Sequence, residues 1–163
     1  MRPAPFDEVR VPVMPNPDRP TIDEWVGTLD DVIGRPTPAL SRTILLGHSV
    51  GAQAVLRWLA KLPAGATVEG ALLVAGWFSV DEPWPEIEPW CDTPLDLPRI
   101  RRAAPRILTL ISDDDPFTKD HAAHAALFRE RLGAEVKVVP GAAHFNGEEE
   151  PAVEAALLEG FLR

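Results

Sequence analysis

The chain has 163 residues, 45% of them hydrophobic, with 25 acidic against 16 basic side chains and a formal net charge of -9 at pH 7. That length suits one domain with a sizeable buried core, and the acidic balance argues against a nucleic-acid partner, because phosphate-backbone binding draws on clustered Lys and Arg. A single cysteine, Cys91, excludes an internal disulfide, and the sequence holds neither a signal-peptide core nor an apolar run near the ~18 residues of a membrane helix, so a soluble cytoplasmic protein without a membrane partner is expected.

The first segment with a pattern, "VRVPVM" at 9 to 14, is short and β-branched and predicts an edge or irregular strand, since Pro12 would remove one ladder hydrogen bond. Thr21 followed by Glu24 makes a capping box, and Ile22, Trp25, Val26, Leu29 and Ile33 then recur at helical spacing, which predicts a helix over 22 to 33. "TILLG" at 43 to 47 and "GALLVAG" at 70 to 76 are apolar throughout and too short for typical helices, so they predict buried parallel strands. Between them Val55, Leu56 and Leu59 mark a helix.

The stretch "FSVDEPWPEIEPWCDTPLDLP", residues 78 to 98, carries five prolines and two tryptophans, which rules out a long helix or strand. It reads either as a lid-like insertion whose Trp84 and Trp90 line a pocket or as a packed surface connection. "RILTLI" at 106 to 111 and "EVKVV" at 135 to 139 complete the strands, the second alternating as a half-exposed edge does. Ala123, Leu127, Phe128 and Leu132, then Val153, Leu157 and Phe161, predict two more helices. Regular alternation of strands and helices over 1 to 163 implies one α/β domain around a mostly parallel sheet.

One serine sits between two glycines where the "TILLG" strand gives way to a helix: Gly47, His48, Ser49, Val50, Gly51. A sharp turn there exposes the serine hydroxyl and needs small neighbours, and the following helix start aims the Val50 N–H and its dipole at charge developing beside Ser49. Ser49 is therefore the candidate nucleophile and Val50 the candidate oxyanion donor. A serine needs a base, and the base an orienting acid. Chain order supplies both: Asp113, Asp114 and Asp115 follow the "RILTLI" strand, and His144 lies in a glycine-containing loop past the next one. Spacing alone leaves the choice among the three aspartates open.

Other readings of these residues are weaker. An aspartate run that binds a cation needs further ligands at defined spacing, and none stand there. His121 and His124 resemble a ligand pair, yet His124 falls on the face of Leu127 and Phe128, where a core histidine is expected. His48 is expected to point away from the hydroxyl and to pack or hydrogen-bond locally, and the Arg99 to Arg102 cluster reads as a solvated face.

"MPNP" at 14 to 17, "GHSVGAQAVLRW", "ALLVAGW", "SDDDPF" and "GAAHF", in this order and spacing, resemble the small serine hydrolases related to retinoblastoma-binding protein nine. The resemblance covers nearly the whole chain and implies a three-layer α/β-hydrolase-like sandwich. By that similarity the nucleophile is Ser49, the base is His144, and the acid is the aspartate directly before Pro-Phe, which is Asp115. The resemblance also implies a departure: the family begins with a strand, a glycine loop and a helix ahead of the segment matching this chain, and that loop supplies a second oxyanion donor. Two inner sheet edges are then expected to pair with each other, to stay open, or to take a strand from a partner.

Together these features predict a serine hydrolase that cleaves small esters through an acyl-enzyme, with no cofactor and no metal. The competing expectation, motivated by the missing donor, is a weak or inactive hydrolase-fold protein acting through a protein partner.

Overall fold

The computed structural model describes residues 6–34 and 36–162. Helix α1 spans Ile22–Ile33, and its start is the expected capping box. Thr21 Oγ1 accepts from the Glu24 N–H at 3.4 Å and donates to the Glu24 carboxylate at 2.7 Å, so two groups at the helix start satisfy each other. Gly34, at φ 77°, ends the helix. A 3-10 turn at Pro38–Arg42 leads into strand β1, Ile44–His48. There follow α2 (Val50–Lys61), β2 (Gly70–Val74), α3 (Glu88–Asp92), α4 (Leu97–Ala103), β3 (Ile107–Ser112), α5 (His121–Leu132), β4 (Glu135–Val139) and α6 (Pro151–Phe161).

The four strands form a parallel sheet in the order β1-β2-β3-β4. Strands β2 and β3 are buried along their whole length, which is why both are apolar at nearly every position, whereas β4 is only partly buried, with Glu135 and Val138 exposed. Successive residues point to opposite faces. Leu45, Ala71, Leu73 and Ile107 pack with α2, α4 and α5 on one side, while Leu72, Val74, Leu108 and Leu110 meet Ala156 and Phe161 of α6 on the other. A helix layer, a sheet and a second helix layer result, the three-layer arrangement that the family resemblance implies. Among the described residues no helix is long and apolar enough to cross a membrane.

The expected strand at 9 to 14 is not formed. Val9, Val11 and Val13 are exposed, and the segment is tied instead to the end of α1, where the Arg10 guanidinium donates to the Val32 carbonyl at 2.7 Å. Alternation makes a strand only where a neighbouring ladder exists, and Pro12 has no N–H to offer one. Among the described residues β1 therefore pairs with β2 alone. Its outer edge is open, with Leu46 47% exposed.

Candidate active site

Because all four strands run the same way, their carboxyl ends meet on one rim of the sheet, where loops from distant parts of the chain converge. Ser49 follows β1, the 75–87 segment follows β2, Asp113 to Asp115 follow β3 and the His144 loop follows β4.

Ser49 caps α2 in a strained conformation, φ 54° and ψ -120°, which a residue with a side chain adopts only when its surroundings impose it. The constraint is the crossing of β1 and α2: a Cβ on Gly47 would lie 2.5 Å from the Gly51 carbonyl oxygen. At Gly51 itself a Cβ would meet nothing within 4 Å. The smallness expected of both glycines is thus a steric requirement at Gly47 only. Val50 is the first residue of α2, so its N–H has no carbonyl one turn back and stands at the positive end of the helix dipole.

His144 and Asp115 are both buried, 8% and 3% exposed. The imidazole Nδ1 lies 2.8 Å from Asp115 Oδ2, and Asp115 Oδ1 accepts from the Phe117 N–H at 2.9 Å. A carboxylate on Nδ1 takes that nitrogen's proton in a hydrogen bond and leaves Nε2 as the basic nitrogen of the neutral ring. Ser49 and His144 line one cavity of about 440 Å³. Among the described residues the Ser49 hydroxyl has no hydrogen-bond partner, His144 included; nucleophile and base commonly close to bonding distance only around substrate.

The cavity walls are Trp25, Trp77, Val80, Trp84, Ile87 and Phe117, with Asp18 and Asn146 as polar members and, among the described residues, no Lys or Arg. Trp84 of the proline-rich segment is 40% exposed at the mouth. Its ring lies 5.7 Å from Phe117, whose ring is in turn 4.7 Å from His144. Trp90, expected beside it, is not a lining residue: it is 1% exposed, packs edge-on against Trp25 at 5.9 Å and donates its indole N–H to the Pro20 carbonyl at 3.0 Å. A buried indole needs such an acceptor, and the bond holds residues 15–20 at the cavity rim, as does Trp25 Nε1 on the Pro15 carbonyl at 2.8 Å.

Sequence reasoning missed several participants. His48 neither turns away from the site nor bonds locally: its Nε2 lies 2.7 Å from the carbonyl of His144, 96 residues along the chain, and it lines the cavity, with its ring 5.1 Å from that of His144. Adjacency to Ser49 was the one available signal. Trp25, Trp77 and Phe117 had none beyond being aromatic. Asp113 and Asp114 are engaged too: Asp113 Oδ1 accepts from the Gly141 N–H at 2.8 Å and Asp114 Oδ1 from the Ala143 N–H at 2.7 Å. The Ser112 hydroxyl and, after it, the Ala143 amide hold the Asp114 carboxyl below the ordinary carboxylate range. Its charge therefore persists through neutral and mildly acidic pH, and any stability it contributes is lost only as pH falls through that lowered value. His124 is buried as expected, and burial pushes its imidazole pKa down.

Residues 7–151 match the family model described as serine hydrolase. The chain belongs to the serine hydrolase family. Among solved structures it is similar to the ydeN gene product of Bacillus subtilis, with 24% identity, a TM-score of 0.77, and coverage of 92% of this chain and 80% of that one. A YdeN-like hydrolase from Pectobacterium atrosepticum is 25% identical, with a TM-score of 0.57 over 88% of this chain and 70% of that one. A carboxylesterase structure from the thaumarchaeon Nitrososphaera gargenis shares the fold at 14% identity, with a TM-score of 0.61 and coverage of 90% and 73%. No curated protein matches the chain at a significant level.

Proposed function

We propose that the protein hydrolyses small neutral esters, with Ser49 as nucleophile, His144 as base and then acid, Asp115 as orienter of His144 and the Val50 N–H as oxyanion donor. The observation that carries the reading is the buried His144–Asp115 pair at 2.8 Å lining one cavity with the strained Ser49. In this mechanism Nε2 of His144 takes the Ser49 proton as Oγ adds to the ester carbonyl. The negative charge moves to the carbonyl oxygen beside the start of α2, and the same proton leaves with the alcohol as the C–O bond breaks. Water activated by His144 then attacks the acyl-enzyme and returns Ser49. Asp115 stays ionised and holds the ring in the productive tautomer.

The choice of Asp115 as the acid follows both its bond to His144 and the similarity to small hydrolases related to retinoblastoma-binding protein nine. An ester is favoured because the pocket is aromatic and apolar and, among the described residues, offers no cationic group to a carboxylate-bearing acyl chain. The acidic chain with its single cysteine suits a cytoplasmic setting, and no cofactor enters the chemistry.

The pocket makes the reading testable with p-nitrophenyl esters. Benzoate or branched acyl esters should be cleaved in preference to a succinate half-ester of similar size. Trp84→Ala, which strips one wall of the mouth, should raise KM for the aromatic ester by about 10-fold with kcat little changed, the loss expected for a partly buried indole. Absence of hydrolysis across the series, or preference for the charged acyl group, would contradict the assignment.

A further inference from the structure

Four consecutive residues at the end of β3, Ser112 to Asp115, grip four consecutive residues after β4. Asp113 Oδ1 accepts from the N–H of Gly141 at 2.8 Å, Ser112 Oγ from that of Ala142 at 3.1 Å and Asp114 Oδ1 from that of Ala143 at 2.7 Å, and Asp115 Oδ2 bonds the ring of His144 at 2.8 Å. The Ser112 hydroxyl donates its own proton to Asp114 Oδ1 at 2.5 Å, which fixes it as an acceptor towards Ala142. From the other side, His48 Nε2 meets the His144 carbonyl at 2.7 Å.

The gripped segment is one the chain resists. Ala143 and Phe145, which flank His144, sit at φ 46° and 53°, and Gly141 at 67°. Non-glycine residues in that region cost on the order of 1 kcal/mol each and persist only where neighbours over-determine them. Left unheld, the loop would relax to ordinary backbone angles and carry the imidazole off Asp115 and away from Ser49. Three side-chain acceptors on its amides supply the restraint.

We infer that Asp114, with Asp113 and Ser112 beside it, is a positioning residue that holds the strained loop and so aims His144 at Ser49. This rests on reading His144 as the base. Asp114 is the centre of the clamp because it engages Ala143 directly and orients the hydroxyl that engages Ala142. Its function is to accept, so the amide oxygen of asparagine serves nearly as well, and Asp113→Asn is likewise nearly silent.

The test compares Asp114→Ala and Asp114→Asn with the unmodified protein, reading kcat and KM for a p-nitrophenyl ester, the melting temperature and the low-field imidazole Nδ1–H resonance of His144 in histidine-labelled protein. A misplacement of about 1 Å costs about 100-fold in rate. Asp114→Ala should lower kcat by about 10- to 100-fold, leave KM within about twofold and the melting temperature nearly unchanged, and broaden or lose the resonance. Asp114→Asn should restore both. An unchanged kcat and resonance in Asp114→Ala overturns the inference, as does an equal loss in Asp114→Asn, or a fall in kcat that comes only with a raised KM and a lowered melting temperature. The resonance is read without substrate, so a protein that cleaves no ester still reports on the clamp, and failure of the catalytic reading is told apart from failure of this one.

Discussion

His144→Ala should cut turnover of an activated ester by about 10,000-fold to 1,000,000-fold, the range measured when the base of a serine triad is removed. The imidazole lies on the cavity wall with its Nδ1 committed to Asp115, and no other described side chain offers a basic nitrogen held in that way. His48 lines the same cavity, but its Nε2 donates to the His144 carbonyl, which leaves Nδ1 as the basic nitrogen of a ring that, among the described residues, no carboxylate orients or stabilises when protonated, so it should not substitute. Ser49→Ala should lose as much, and the double variant little more, because members of a triad act as one unit and their losses do not add. A His144→Ala protein that keeps a tenth of native turnover would make His48 or water the base.

Asp115→Asn should lower kcat by about 10,000-fold while the protein stays folded. The substituted amide keeps an oxygen for the Phe117 N–H, but it turns an amide or a neutral oxygen toward Nδ1 where a carboxylate stood. The imidazole then loses both its fixed tautomer and the charge that stabilises the imidazolium. Asp113→Asn, two residues earlier in the same loop, should cost less than about threefold, since its bond to the Gly141 N–H needs only an acceptor. Equal losses at the two positions, measured as kcat on one ester, would contradict separate roles for neighbours in the aspartate run.

Much of this architecture is written in local pattern. The helix at 22 to 33 carries its own start signal at Thr21 and its own apolar stripe, and it forms over those residues. The strand at 135 to 139 likewise forms where its alternation places it. Buried strands are apolar throughout because both faces are covered, and that signal is as visible in sequence as in space. The segment at 9 to 14 fails for a nonlocal reason: alternation says which face a strand would bury, but not whether a neighbour is there to pair with it.

The candidate site divides in the same way. Ser49, Asp115 and His144 stand just after strands of one parallel sheet, so chain order alone brings them to one rim. What chain order cannot carry is direction. Trp84 and Trp90 lie six residues apart in one proline-rich segment, yet one stands at the cavity mouth and the other is buried behind its wall, a difference set by the Pro20 carbonyl that only the fold places beside Trp90. The grip of Ser112, Asp113 and Asp114 on the loop at 141 to 143 depends on the β3–β4 register, which no single stretch of sequence encodes.

The nucleophile is tested most directly by incubating the protein with a fluorophosphonate probe and mapping the adduct by intact mass and peptide sequencing. A single adduct on Ser49, absent from Ser49→Ala and strongly slowed in His144→Ala, is the predicted outcome. An adduct that persists in Ser49→Ala, or none in the unmodified folded protein, would contradict Ser49 as the nucleophile.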